Sequence, residues 1–191
     1  PRVRRQRQMC IRDRVMKKSV LLLFFAGCVA IGIFGIGRKI PMNRVNDLGQ
    51  REGYWRDSVG GGFVYDLYYK GGKKDGLYKR FYRNKLFLFG EYTADNISGT
   101  WYMFGDEGEL RCTIDSIELN KDSIYTGYCR IFCKYKCYCA DYYPSGAVKS
   151  EGYMVCDEDF MVDFWEIGEW KYYDESGNLI KTKDYGDRRT P

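Results

Sequence analysis

The stretch YYKGGKKDGLY, residues 68–78, decides the fold. Aromatic residues at its two ends favour β-strands, and the central Gly71-Gly72 pair supplies the positive φ angles that a tight hairpin turn requires. Gly76 and Tyr78, in the second half of the stretch, form a Gly-x-aromatic motif. The stretch therefore predicts two antiparallel strands joined by a tight turn.

The Gly-x-aromatic motif recurs at a step of 23 residues. Its copies are Gly53-Tyr54-Trp55, Gly76-Leu77-Tyr78, Gly99-Thr100-Trp101 and, three steps further on, Gly168-Glu169-Trp170. A second pattern supports the repeat, because Trp101 and Trp170 are each followed by glycine at +7 and leucine at +9. Further turn signals, Asn84-Lys85 and Asp95-Asn96, lie between these segments. A fixed step of this length indicates a repeat architecture.

Aromatic residues dominate the repeat region, with 30 of them between Tyr54 and Tyr185. A single-layer sheet has no second sheet to pack against, so large rings between neighbouring hairpins must supply most of its apolar burial. Helical periodicity is nearly absent after residue 40. We therefore predict a mostly β protein, an elongated single-layer antiparallel sheet of consecutive β-hairpin repeats of about 23 residues. One N-terminal apolar helix is expected to precede it.

The repeat resembles a known family. Its 23-residue step and the segments YYKGGKKDGLY (68–78) and NKLFLFGEY (84–92) are similar to MORN (membrane occupation and recognition nexus) repeats. The resemblance is closer to bacterial MORN variants, many of which carry the label of antitoxin component of a toxin–antitoxin system. It covers 46–112 well and 141–186 more loosely, whereas 113–140 depart from the pattern. It implies an elongated, twisted sheet of hairpins used for binding, without catalytic residues common to the family.

The basic character of the chain is confined to residues 1–15. They hold six arginines and one aspartate, whereas 25 basic and 25 acidic residues follow. The segment MCIRDR (9–14) resembles a translated sequencing adapter, and Met16-Lys17-Lys18 resembles an ordinary bacterial start. We therefore interpret 1–15 as a non-native leader. A genuine arginine-rich arm is the alternative, and its charge cluster would favour the cytoplasmic side of the membrane.

An apolar segment, residues 19–37, follows the start and contains no charged residue. Its length is close to the roughly 20 residues that span a bilayer as a helix. Three alternatives remain: an uncleaved membrane anchor, a cleaved secretory signal, or a lipoprotein signal in which Phe25-Ala26-Gly27-Cys28 is the lipobox and Cys28 carries the lipid. All three place the body of the protein in the bacterial cell envelope, associated with the membrane through 19–37 or exported.

The sequence divides into seven segments. They are a leader (1–15), a signal peptide or anchor (16–37), a linker (38–45), MORN-like repeats (46–112), an irregular cysteine-rich insert (113–140), further MORN-like repeats (141–186) and a tail (187–191).

Six cysteines lie in the body of the protein: Cys112, Cys129, Cys133, Cys137, Cys139 and Cys156. A strand would place Cys129, Cys133, Cys137 and Cys139 on one face. Cysteines four apart on a strand are about 13 Å apart, so any disulfide must cross to a neighbouring strand, with Cys112 and Cys156 as candidate partners. Six cysteines allow 15 connectivities, and the sequence does not choose among them. Buried thiols and a tetrathiolate metal site are the alternatives.

The chain contains no histidine. This excludes Ser-His-Asp and Cys-His catalysis and any imidazole-ligated zinc site. A histidine-free hydrolase using a carboxylate pair, Glu107/Glu109 or Asp157/Asp159, is the remaining enzymatic alternative. We predict that the protein is not an enzyme and has no cofactor and no metal centre.

The predicted function is a binding scaffold with an aromatic and basic surface. Its candidate residues are Trp55, Tyr68, Tyr69, Tyr78, Trp101, Lys73 and Lys74. Such a surface suits a protein, lipid or glycan partner. Nucleic acid is not expected, because the chain from Met16 onward has no net charge. An antitoxin-like, partner-neutralising role is the alternative that the family resemblance implies.

Overall fold

A computed structural model describes residues 41–121, 133–157 and 164–186. Within these ranges the chain forms eleven β-strands: β1 (Arg44–Val45), β2 (Arg51–Ser58), β3 (Phe63–Lys70), β4 (Lys73–Tyr82), β5 (Lys85–Thr93), β6 (Asn96–Phe104), β7 (Leu110–Leu119), β8 (Tyr135–Tyr142), β9 (Val148–Cys156), β10 (Phe164–Tyr173) and β11 (Leu179–Asp184). The predicted apolar helix, Cys28 and Cys129 lie outside the described ranges. No helix capable of spanning a membrane occurs within them.

The strands form one open sheet in which the spatial order is the chain order, from β1 to β11. Each strand pairs antiparallel with the next. This arrangement needs no crossover, because a short turn is enough to join antiparallel neighbours. The prediction of a mostly β, antiparallel sheet built from consecutive hairpins is confirmed.

Three of the hairpins close through turns with two consecutive residues at positive φ. These pairs are Gly71-Gly72 (56° and 81°), Arg83-Asn84 (48° and 65°) and Ala94-Asp95 (49° and 69°). Positive φ at both central residues is the geometry whose twist matches that of the flanking strands. The first turn lies where the sequence predicts it, and the other two are centred one residue earlier than predicted. Asn96, predicted in a turn, instead begins β6 and pairs with Thr93.

The glycines at +7 from the tryptophans form a second kind of turn. Gly108 and Gly177 have φ angles of 84° and 83°. Gly146 lies in the segment YYPSGAV (142–148), which resembles a shorter copy of the same motif, and its φ angle is 84°. Each donates its backbone N–H to the carbonyl three residues earlier: Gly108 to Gly105 (3.0 Å), Gly146 to Tyr143 (2.8 Å) and Gly177 to Asp174 (2.9 Å). The repeat in sequence is therefore a repeat in turn geometry.

The glycines of the Gly-x-aromatic motif mark irregular points in the ladder. Gly53, Gly76, Gly99 and Gly168 all have positive φ, between 59° and 127°. The pairing register shifts beside the last three of them, in the β3–β4, β5–β6 and β9–β10 pairs. A bulge leaves extra residues on one strand and changes the direction of the neighbouring side chain. The recurring glycine therefore allows the backbone to adopt positive φ at the bulge, and in the last three copies the aromatic residue two positions later packs in or against the core.

Two tryptophan rings pack directly on glycines of the preceding strand. The Trp101 ring covers Gly90, where a Cβ atom would lie only 2.1 Å from ring atom Cδ2. The Trp170 ring covers Gly152 in the same way, with a closest distance of 2.5 Å. Each indole also donates its Nε1–H to a backbone carbonyl, 3.1 Å and 2.8 Å away. The two tryptophans thus replace a second layer with rings that lie flat on the sheet.

The main core follows one face of the sheet, which we call the ring face. Its buried members are Leu67, Leu88, Tyr92, Ile97, Trp101, Cys112, Ile114, Tyr135, Cys137, Cys139, Met154, Cys156 and Trp170. A smaller cluster of Cys133, Val155 and Ile167 packs with Trp165. Val155 alternates with Met154 and Cys156 along β9, so this cluster lies on the opposite face.

The segment 113–140, which departs from the repeat in sequence, still contributes to the sheet. Thr113 to Leu119 complete β7, and Tyr135 to Ala140 begin β8. These two strands pair with each other from Cys112–Asp141 to Leu119–Tyr135. The departure from the sequence pattern therefore does not break the ladder at these strands.

Candidate functional site

A groove of about 340 Å³ opens on the ring face, across β2 to β6. Its lining combines five aromatic residues and two cations: Tyr65, Tyr69, Tyr78, Tyr92, Trp101, Lys74 and Arg80. Trp101 is only 1% exposed and forms the floor. Its ring centre lies 5.4 Å from that of Tyr78 and 5.3 Å from that of Tyr92. This stacking fixes the shape of the groove, because tilted and edge-to-face ring pairs are mutually stabilising.

Cations lie over the rings that line and flank this groove. The guanidinium carbon of Arg51 is 4.3 Å from the centre of the Trp55 ring, and that of Arg80 is 5.2 Å from the Tyr65 ring. Lys74 Nζ lies 4.7 Å above the Tyr92 ring. Such cation–π contacts contribute about 0.5–1 kcal/mol each at exposed sites. Because the rings position them, these side chains lose less freedom when a ligand binds.

One carboxylate lies among these positive charges. Asp57 lines the groove and accepts a hydrogen bond of 2.9 Å from Arg51. The groove with Arg51 beside it therefore carries three cations against one paired carboxylate. This balance favours a ligand group that is negatively charged and lies beside an apolar or ring surface.

The opposite face holds an ion pair of a different kind. Arg56 donates hydrogen bonds of 2.6 Å to both carboxylate oxygens of Asp66, which is buried. Burial raises the pKa of Asp66, but the hydrogen bonds from Arg56 outweigh it and leave that pKa below its ordinary value. Burial, together with the neighbouring carboxylate, raises the pKa of Tyr54 to about 12. The charges of Arg56 and Asp66 neutralise each other, so we interpret this group as one that stabilises the fold and not as a ligand site.

The predicted binding residues do not all share one face. Register pairing places Trp55 opposite Leu67, Leu67 opposite Tyr78, and Tyr69 opposite Lys74, all on the ring face. Tyr68 and Lys73 are sequence neighbours of residues on the ring face, and adjacent residues on a strand point to opposite sides. The structure therefore brings together Trp55, Tyr69, Lys74, Tyr78 and Trp101, and it places Tyr68 and Lys73 on the other face.

Four residues of this region are not among the predicted binding residues: Arg51, Tyr65, Arg80 and Tyr92. Strand alternation contains a signal for two of them, because residues separated by an even number of positions on a strand share a face. Tyr65 is four positions before Tyr69, and Arg80 is two positions after Tyr78. The bulges at the glycines disrupt that count between strands. The association of Arg51 with Trp55 depends on side-chain direction and has no signal in the spacing.

A second cavity of about 370 Å³ lies on the same face, across β6 to β10. Its wall includes two cysteines of the predicted disulfide set, Cys112 and Cys139, whose sulfur atoms are 3.3 Å apart. Cys137 and Cys156 form a second pair, with 3.5 Å between their sulfurs. The sequence predicts Cys112 and Cys156 as cross-strand neighbours of the β8 cysteines, and the structure brings these partners together as thiols.

Cys133 behaves differently from the other cysteines of the predicted face. It packs with Val155 and Ile167 in the opposite-face cluster, away from Cys137 and Cys139. The reason is that β8 begins only at Tyr135, so the period-two alternation does not extend back to residue 133.

Two of the buried thiols, Cys137 and Cys139, are poor nucleophiles. The hydrogen bond with Cys112, together with burial, raises the pKa of Cys139 far above its ordinary value. The hydrogen bond with Cys156 and burial do the same for the pKa of Cys137. Since the thiolate is the reactive form, these thiols are inert at neutral pH unless a cation replaces their protons.

The carboxylate pairs proposed for hydrolysis have limited support in the described residues. Glu109 Oε2 accepts the backbone N–H of Glu107 at 3.1 Å, so this pair closes a tight turn. Its side chain also lies against Gly105, where a Cβ would meet Oε1 at 1.9 Å. Asp157 follows the end of β9, and Asp159 lies outside the described ranges.

Comparison with known proteins assigns no family to this chain. No family model matches it, and searches of the curated proteins and of the solved structures also give no match. The resemblance to MORN repeats therefore rests on the sequence motifs quoted above.

Proposed function

We propose that the chain is a non-enzymatic, MORN-like repeat scaffold of the bacterial envelope that binds a protein, lipid or glycan partner through the ring-face groove. The observation that carries the proposal is the set of cations held over aromatic rings at and beside that groove. The ligand chemistry common to the three partner classes is an anionic group next to an apolar or sugar-ring surface. A phospholipid headgroup, an acidic polysaccharide and an acidic protein segment all present it.

Two further observations support binding over catalysis. The pKa values of Cys139, which borders the second cavity, and of Cys137 on the same strand are raised, which leaves these two thiols protonated. In the Glu107/Glu109 pair, the carboxylate of Glu109 is engaged in its own turn by the backbone N–H of Glu107. An antitoxin-like role would use the same groove with a protein as the partner.

Lys74 and Lys73 make a matched test of this proposal. They are neighbours on β4, but Lys74 lines the groove and Lys73 points to the other face. One lysine beside an anionic surface contributes about 1 kcal/mol, which is roughly a fivefold change in affinity. We expect Lys74→Ala to lose about that much affinity, while Lys73→Ala binds like the unchanged protein.

The assay uses the full-length chain and three ligands in parallel. These are vesicles with and without phosphatidylglycerol, an acidic polysaccharide, and envelope extract followed by cross-linking of bound proteins. Both variants keep residues 19–37, so the difference between them isolates the groove from any membrane segment. Binding to one ligand with selective loss in Lys74→Ala identifies the partner class. Equal losses in both variants, or binding to none of the three, would refute the proposal.

A further inference from the structure

Three side chains that bind metals converge on the wall of the second cavity. The sulfurs of Cys112 and Cys139 and a carboxylate oxygen of Asp141 all lie within 4.8 Å of one another. Within the described ranges this is the one group of three such residues. The group lies on β7 and β8, whereas the ring-face groove is lined by residues of β2 to β6.

The pairing register explains this convergence. Cys112 on β7 lies directly opposite Asp141 on β8, and Cys139 is two residues before Asp141 on the same strand. Residues two apart on a strand share a face, as do residues directly opposite in a ladder. The rigid ladder therefore holds all three side chains on the ring face, without help from a loop.

The geometry suits a soft divalent cation. A tetrahedral zinc ion has bonds of about 2.3 Å to sulfur and 2.0 Å to oxygen, so its ligand atoms lie about 3.5–3.8 Å apart. The two sulfurs are already 3.3 Å apart, and small side-chain rotations adjust the rest. Ser150, which is buried, donates a hydrogen bond of 2.9 Å to Asp141 Oδ2. Such a partner orients a ligating carboxylate.

The neighbouring cysteine pair lacks these features. Cys137 and Cys156 are both fully buried, and no carboxylate completes a group of three with them among the described residues. Cys112 and Cys139, by contrast, border a cavity of about 370 Å³ whose wall also carries Lys149 and Glu166. A fourth coordination position would face this cavity, as in zinc sites that keep one position open for a ligand.

We propose that Cys112, Cys139 and Asp141 bind a soft divalent cation of the zinc class, with the fourth position open to the cavity. Binding breaks the two S–H bonds as two metal–sulfur bonds form, and both protons pass to solvent. No electrons are transferred. The two thiolates, the carboxylate and the cation together carry one negative charge, and the cavity wall adds one cation, Lys149, and one carboxylate, Glu166.

The test is a Co²⁺ titration of the reduced full-length chain, followed by displacement with Zn²⁺. Tetrahedral Co²⁺ bound to thiolates gives a charge-transfer band in the near ultraviolet. We expect this band in the unchanged protein, its loss in Cys139→Ser, and a reduction in affinity of at least roughly tenfold in Asp141→Asn. Cys137→Ser is the matched control, because this cysteine lies on the same strand and face, and it should keep the band.

Two results would overturn the proposal. One is a band that persists in Cys139→Ser, or that forms in Asp141→Asn with unchanged affinity, because the metal would then be bound without these side chains. The other is a Cys112–Cys139 disulfide in peptide maps of the protein isolated without reductant, because both thiols would already be consumed. Asp141→Asn keeps the size of a half-exposed side chain, so it remains informative if the buried cysteine variant fails to fold. Neither result affects the groove, which shares no residue with this site.

Discussion

Replacing Gly90 with alanine tests how the tryptophan rings hold the sheet together. The new Cβ would lie 2.1, 2.4 and 2.5 Å from three atoms of the Trp101 ring. Carbon atoms in favourable contact are about 3.5–4.0 Å apart, so the ring has to retreat by about 1.5 Å. It has little room to do so, because Trp101 is 1% exposed and packs against Tyr78 and Tyr92.

We expect Gly90→Ala to destabilise the protein by about 3 kcal/mol, at the upper end of the range for overpacked cores. For a protein of this size, that corresponds to a fall of about 6–12 °C in the melting temperature. Thermal unfolding followed by circular dichroism measures it. Gly71→Ala is the control, since that turn glycine has φ 56° and an added methyl group would meet nothing within 4 Å. The control should lose only about 1 kcal/mol, from backbone strain alone.

A double-mutant cycle identifies the ring as the cause. In a Trp101→Leu background the obstacle is gone, so Gly90→Ala should then have little effect, giving a coupling of about 2–3 kcal/mol. Two results would contradict a steric conflict between the new methyl group and the Trp101 ring. One is a loss of stability in Gly90→Ala that is as small as in Gly71→Ala, and the other is the same loss with and without the ring.

Three further predictions follow from the described contacts. Gly152→Ala should destabilise the protein by about 2–3 kcal/mol, because the methyl would meet the second tryptophan ring; a melting temperature within about one degree of the parent's contradicts this. Asp66→Asn should remove about 1.5–3 kcal/mol at neutral pH, because it loses charged hydrogen bonds from Arg56. Since the folded pKa of Asp66 is lowered, the parent loses this advantage as pH falls below about 4, and urea midpoints of the two proteins should converge there; a constant gap argues against the ion pair. Cys137 and Cys139 should resist iodoacetamide in the native protein at neutral pH, being buried thiols with raised pKa values, and react after denaturation; mass spectrometry that finds rapid native labelling contradicts the assignment.

The repeat can be read from the sequence because it is written in residue types with special backbone freedom. Glycines at a step of 23 residues are visible without any structure, and each of them has positive φ. From the sequence, two turns are predicted at Asn84-Lys85 and Asp95-Asn96, one residue later than in the structure. The reason is that asparagine and aspartate are strong turn-forming residues, so they are assigned to the first position of the turn although they occupy the second. Cross-strand pairing instead fixes the register, and it tolerates arginine and alanine at positive φ.

The composition of the groove is harder to predict than the hairpins. Consecutive residues such as Tyr68 and Tyr69 look equivalent in a basic and aromatic run, but a strand sends them to opposite faces. The convergence of Asp141 with Cys112 and Cys139 depends on the β7–β8 register. β7 and β8 are separated in the sequence by a long segment that departs from the repeat. The spacing of the cysteines and of Asp141 therefore does not predict which residues of the two strands pair.

The most direct test of the central claim, that the ring-face groove is the binding surface, is lysine footprinting of the full-length chain. The chain is acetylated with and without native envelope extract, and the modification of each lysine is read by mass spectrometry. Each lysine is compared with itself, so its intrinsic reactivity cancels. We expect the extract to protect Lys74 and to leave Lys73 unchanged. Equal protection of both lysines, or protection of Lys73 alone, would contradict this expectation.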